Sequence, residues 1–420
     1  VALHRIFNGE GVRKVNLKNP KAALAAAPSL ADNRRNVRRT GMGAACAAML
    51  ALAASPAAAD ALSTPSLTGP LVANPNPVSF DAGPLGKIYV SGVASGFGAY
   101  TSEPQTPFGD QHWRWDATNG QVIVQKTDGL IQFYVQAGAY DLPALGTTIV
   151  SSGKETSNTF GVVPVAYLKI APTDTFNIQV GKLPTLFGAE YTFSFENMNV
   201  ERGLLWNQEP AISRGVQANY TIGPLALSLS WNDGLYSNKF DWLSGSAAWT
   251  IDPANSLSFV GGGNLGTSTV ASFVTAPYQN NSDIYNLIYT HTEGPWTITP
   301  YFQMTHVAAS TALGLTHEGN SYSGAVLVNY NLNASWNLAA RVEYIDTTGS
   351  AAAGAPSLLY GPGSKAWSFT VTPTYQYKVF FIRPEASYVT VSNATPGDVF
   401  GSSLSNTGQF RALLEAGVLF

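Results

Sequence analysis

The 420-residue chain carries 23 Lys or Arg against 26 Asp or Glu, a formal net charge of −3, and has a mean hydropathy of +0.02. Only 12% of its residues are charged while 45% are hydrophobic, about half the ~25% charge usual in soluble domains, yet no stretch is long and apolar enough for a bundle of membrane helices. Gly, Tyr, Phe, Trp, Thr, Ser and Asn are plentiful, which favours strands and tight turns over helices.

Residues 1–33 are read as an N-terminal extension, either disordered or the product of a start codon assigned too far upstream. Residues 34–59 have the order of an export signal: Arg34, Arg35, Arg38 and Arg39, then the apolar run GMGAACAAMLALAA, then Ala57-Ala58-Ala59 as a small-residue cleavage site. The run 41–54 is too short for the ~20 residues of a spanning helix. Cys46 lies inside it, without the sequence context of a lipoprotein signal, so a mature chain beginning near Asp60 would hold no thiol. That excludes disulfides, thiol nucleophiles and Cys-ligated metals and suits export. After residue 59 there remain 14 basic and 24 acidic residues, a formal net of −10, which argues against a nucleic-acid partner.

Residues 60–86, rich in Pro, Ser and Asn, are expected to form a periplasmic leader or partial plug, and 87–420 an all-β, antiparallel transmembrane barrel. Sixteen strand-like runs are expected: 87–100, 120–126, 130–140, 160–171, 175–183, 212–222, 225–233, 240–251, 256–265, 284–292, 296–307, 321–331, 335–346, 366–376, 379–391 and 408–420. The second is weak. Tight turns such as Thr127-Asp128-Gly129, Gly223-Pro224 and Asp252-Pro253-Ala254-Asn255 follow the even runs. Long polar loops, 101–119, 141–159, 184–211, 266–283, 347–365 and 392–407, follow most odd ones. Short periplasmic turns and long extracellular loops are the outer-membrane barrel pattern; the short loop 234–239 fits it least.

Leu225, Leu227, Leu229 and Trp231 alternate with Ala226, Ser228, Ser230 and Asn232, and Trp367, Phe369 and Val371 with Ser368, Thr370 and Thr372. The period of two assigns the apolar set to lipid and the polar set to a lumen, and aromatics near strand ends would form interfacial girdles. The final stretch QFRALLEAGVLF alternates likewise and ends on Phe420, as bacterial outer-membrane barrels typically do.

The segment QVGKLPTLFGAEYTFSFENMNVERGLLWNQEPAISRGVQANYT, with LSLSWNDGLYSN, VGGGNLG, LLYGPGS and TPTYQYK after it, resembles the type 2 β-barrel porin family, over roughly 85–420. The resemblance implies an outer-membrane porin of Gram-negative bacteria and carries over no residue-level site. The expected partners are outer-membrane lipid and lipopolysaccharide, the barrel assembly machinery at the strand ending in Phe420, and small hydrophilic solutes. A homotrimer is among the assemblies allowed, and no cofactor or metal is expected.

Porins often fold their third outer loop into the channel, here 184–211. Its Glu190, Glu196, Glu201, Arg202 and Glu209 are the constriction candidates, to be weighed against a solvated loop on the outer surface. Arg341, Glu343, Arg383, Glu385, Arg411, Glu415 and Lys169 have lumen-facing parity. A charge costs about 2–4 kcal/mol at the bilayer midplane, so these belong inside, where Arg341 with Glu343, Arg383 with Glu385 and Arg411 with Glu415 would pair, a structural role to be weighed against ion selection. Arg214 has lipid-facing parity and belongs at the headgroup rim. His112-Trp113-Arg114-Trp115 reads as loop packing or contact with lipid, and the GGGN at 261–264 lacks the lysine of a phosphate loop. His291, His306 and His317 share no metal-like spacing. The function expected is passive diffusion of small hydrophilic solutes or ions with a weak cation preference. A plugged structural or adhesive barrel is the alternative, and an outer-membrane enzyme the weaker one, because Ser, His and acid form no recognisable grouping.

Overall fold

The computed structural model describes residues 62–420; the expected N-terminal extension, export signal and first residues of the leader lie outside the described residues. After a short strand β1 (Val78–Asp81) come β2 (Lys87–Thr101), β3 (Trp113–Lys126), β4 (Ile131–Tyr140), β5 (Val165–Ile170), β6 (Phe176–Pro184), β7 (Ile212–Ile222), β8 (Leu225–Asn232) and β9 (Trp242–Asp252). They are followed by β10 (Asn255–Asn264), β11 (Ser282–Glu293), β12 (Trp296–Val307), β13 (Gly319–Asn331), β14 (Trp336–Thr347), β15 (Lys365–Tyr377), β16 (Phe380–Ser392) and β17 (Gly408–Leu419). Each of β2 to β17 pairs antiparallel with the next, and β17 returns to β2 with Ala412 opposite Tyr100 and Val418 opposite Ala94. Sixteen strands therefore close into an antiparallel barrel. No helix among the described residues is long and apolar enough to cross a membrane, which says nothing of crossing by strands.

The barrel is polar within and apolar without. On β8, Leu227, Leu229 and Trp231 are exposed on the outer face while Ala226, Ser228, Ser230 and Asn232 are buried inside. On β15, Trp367, Phe369 and Val371 are exposed and Ser368, Thr370, Thr372 and Thr374 buried. In water this arrangement would forfeit the hydrophobic driving force; in a bilayer it is the stable one, because closure leaves no backbone edge unpaired in lipid. Outward aromatics meet across strands, Trp296 on Tyr330 with ring centroids 4.4 Å apart and Trp336 on Tyr375 at 4.9 Å.

Two strands depart from the sequence reading. The weak run at 120–126 is the end of the fourteen-residue β3, which starts at Trp113. A register shift between Ser95 and Gly96 of β2, opposite Asn119 and Ala117, flips the parity midway, so Trp113 and Trp115 point outward by one phase and Asn119, Gln121 and Gln125 inward by the other. The His112–Trp115 cluster thus opens a strand rather than lying in a loop. Conversely β5 has six residues, not twelve. Gly161 takes a φ of +74° and Pro164 cannot donate to a ladder, so 160–164 leaves the sheet. The loop before it also holds a helix, α1 (Ser152–Asn158), that the sequence reading lacks.

β1 borrows the edge of β2 left over beneath the closing strand. β17 pairs with β2 over Val93–Thr101, Phe420 exchanges backbone bonds with Gly92, and β1 continues along the same edge with Phe80 opposite Ile88.

Candidate pore and its inner loop

The connection between β6 and β7, residues 185–211, folds into the barrel and packs on the wall formed by β14 to β17 and β2 to β3. The acid and base side chains of that wall hold it there by its backbone. Glu385 accepts from the backbone N–H groups of Val200 (2.6 Å) and Glu201 (2.9 Å). Glu343 accepts from those of Leu204 (2.9 Å) and Leu205 (3.2 Å). Arg383 donates to the carbonyls of Ser194 (2.9 Å), Asn197 (2.8 Å) and Met198 (3.0 Å), and Arg341 to that of Glu201 (2.9 Å). An irregular loop cannot satisfy its own backbone, so a lumen wall armed with charges supplies the partners.

The expected pairing along single strands holds only for Arg341, whose Nε lies 3.3 Å from Glu343. Arg383 pairs instead with Glu415 at 3.5 Å, its direct cross-strand partner in register, and Arg411 pairs with Glu201 of the loop at 2.8 Å. Residues two apart on a strand share a face, but the residue directly opposite on the neighbouring strand is closer. Arg341 also reaches Glu190 of the loop at 2.5 Å, so loop acids and wall bases interlock. Lys169 of β5 is half-buried on the inward face, opposite Gln132 and Gln179.

All five charged loop candidates are buried. Glu190 also accepts from Gly203 N–H at 2.8 Å. Glu196 accepts from Phe193 N–H at 2.9 Å, and burial pushes its carboxyl up to about 8. Arg202 lies near the Trp206 ring, its Nε and Nη2 without a hydrogen-bond partner, and bridges by its backbone to the loop after β4, where Leu145 N–H donates to its carbonyl at 2.9 Å. Glu209 accepts from the Tyr301 hydroxyl with one oxygen, and its other oxygen is buried without a partner. Burial raises this carboxyl to about 8, against the lowering effect of that hydrogen bond. Arg214 is half-buried at the loop end of β7, bonded to Asp233 at 2.7 Å with its guanidinium 3.9 Å from the Tyr236 ring centroid.

Space remains on both sides of the loop. Toward the tight-turn rim is a chamber of about 200 Å³ whose lining, among the described residues, holds no charged one. Leu186, Ala189 and Met198 of the loop form one side and hydroxyls of β9 to β12, among them Ser258, Thr290 and Thr299, the other. Toward the long-loop rim is a chamber of about 140 Å³ with mainly apolar walls, Trp206, Leu235 and Phe273 among them, and two acids, Glu155 and Glu209. Glu209 marks the seam: a Cβ on Gly188, which lines the first chamber, would collide with its carboxylate. Sequence reasoning leaves Glu155 and Asp141 unassigned because they lie in the second long loop. Burial raises the former to about 8 and the latter to about 7. Nothing in a loop's composition signals that it will be covered.

The segment before β1 enters the tight-turn mouth. Thr68 N–H donates to the Glu196 carbonyl at 2.9 Å, Thr64 and Gln125 exchange bonds at 2.5 and 2.7 Å, and Val72 and Gln376 do so at 2.8 and 2.9 Å. Leu71 is buried, and Leu67 and Thr68 bound the larger chamber. Among the described residues no group of three His, Cys, Asp or Glu is placed to hold a metal ion.

The fold resembles solved porins at low sequence identity. An anion-selective porin from Comamonas acidovorans superposes with a TM-score of 0.55 at 9% identity, covering 79% of this chain and 99% of that one. Outer-membrane expressed OmpT of Vibrio cholerae gives 0.54 at 12%, covering 82% and 100%. Salmonella typhi OmpF in complex with daunomycin gives 0.52 at 11%, covering 80% and 98%. Comparison with curated protein sequences found no match. The sequence profile described as "Putative beta-barrel porin-2, OmpL-like" matches residues 87–420, the whole of the closed barrel, and the chain belongs to that porin family.

Proposed function

We propose that the protein is a non-enzymatic porin of the bacterial outer membrane that passes small hydrophilic solutes and ions by passive diffusion, with a weak cation preference. The observation that carries this reading is a closed barrel with an apolar exterior and a polar lumen partly filled by its own third long loop. Such an exterior needs lipid, and a sixteen-stranded lumen is too wide for wall side chains alone to fill. The cation preference rests on Glu155 and Glu209, the only charged residues among the described ones that line either chamber. Residues 62–77 act as a partial plug at the periplasmic mouth, and lipopolysaccharide, the barrel assembly machinery and a homotrimeric assembly belong to the same reading.

Recording from purified protein in a planar bilayer tests it. Discrete conductance steps, with a reversal potential of the cation-selective sign under a KCl gradient, are expected. A second reading, a plugged structural barrel, is favoured by how closely the loop and the N-terminal segment fill the lumen, and silence in the same recording would select it.

A further inference from the structure

Most charged side chains of the lumen wall bind the inner loop, and among the described residues the lining of the larger chamber carries none. Glu343, Glu385, Arg341 and Arg383 are engaged by loop backbone, while the larger chamber presents hydroxyls on one side and Leu, Ala and Met side chains on the other. An ion crossing such a lining would shed water and find no opposite charge in return, whereas a neutral polyol can exchange water for hydroxyl partners and rest its C–H groups on the apolar side. In the outer chamber, burial keeps Glu155 and Glu209 largely protonated below about pH 8. We propose that the path between the inner loop and the hydroxyl-bearing wall of β9 to β12 selects uncharged polyols over charged solutes of the same size. The inference rests on the porin reading and names its substrate class.

The test is swelling of liposomes bearing the full-length protein when they are diluted into isotonic sorbitol, N-methylglucamine or gluconate, which share a six-carbon chain and differ in charge, at about pH 6.5 where the amine is cationic. Sorbitol should enter at least about fivefold faster than either charged analogue, because the lining of the larger chamber offers neither a counter-charge. Replacing both Thr290 and Thr299 by Val keeps the shape of the wall and removes two hydroxyls that lie 3.3 Å apart. It should slow sorbitol about threefold, with the barrel's resistance to unfolding in detergent retained. Charged analogues keeping within about twofold of sorbitol, an unaltered sorbitol rate in the folded double variant, or KCl conductance without sorbitol uptake would overturn this inference alone. Absence of both swelling and KCl conductance would overturn the porin reading and this inference with it.

Discussion

Glu209 is the residue at which burial becomes a functional property. Its carboxyl lines the outer chamber beside Gly188, which lines the larger one, and burial raises it to about 8, so it is largely neutral at pH 7 and ionised above pH 8. Glu155 behaves alike in the same chamber. The cation preference should therefore grow between about pH 6 and 9, as two negative charges appear in the mouth. The Glu209→Gln variant should show about half of that change in reversal potential, and a double variant with Glu155→Gln almost none. A pH-independent reversal potential in the unaltered protein would show that neither acid faces the ion path. The stability consequence has the opposite sense. Both carboxyls titrate higher folded than at the 4.5 of an unfolded chain, so their contribution is complete below that pH and is lost as pH rises through about 8.

The inner loop is held by wall charges that accept or donate to its backbone, and this element is where sequence reasoning reached least far. That Arg341, Glu343, Arg383, Glu385, Arg411 and Glu415 face inward followed from parity and the cost of charge in lipid. Their partners did not, because register across strands and the path of an irregular loop are not written in a period of two. Glu385 makes the clearest test. In the Glu385→Ala variant the N–H groups of Val200 and Glu201 lose their acceptor, at about 1–3 kcal/mol for each one left unsatisfied. The loop should loosen within a barrel that still closes. Single-channel traces should then show larger and noisier steps, and protease should cut within 190–209 where the unaltered protein resists. The leader offers an independent measurement. Deleting residues 62–77 removes the contacts to Gln125, Gln376 and the Glu196 carbonyl, and conductance should rise about twofold if this segment narrows the mouth. Unchanged conductance would mean that it binds the rim without obstructing the path.

At the scale of the whole molecule, most of the architecture was legible because inversion of polarity leaves a strong trace. Each wall strand must show lipid an apolar face and water a polar one, and each connection must be short on one rim and long on the other. The trace failed only where a local event broke the period: the register shift within β3, and Gly161 with Pro164 before β5. The same alternation orients the barrel. Tight turns such as Asp252–Asn255 gather on the rim where Phe420 meets Gly92 and where β1 lies, and the long loops with α1 gather on the other. In outer-membrane barrels the short turns lie on the periplasmic side and the long loops outside. An epitope inserted at Gly153 in α1, where an added Cβ would meet open space, should be reached by antibody on intact cells. One inserted at Asp252, whose carboxylate caps its turn by accepting from Ala254 N–H at 2.8 Å, should be reached only after the outer membrane is permeabilised. Labelling of the Asp252 insertion alone on intact cells would invert the barrel and put the chamber holding Glu155 and Glu209 at the periplasmic mouth, where their ionisation would follow periplasmic rather than external pH.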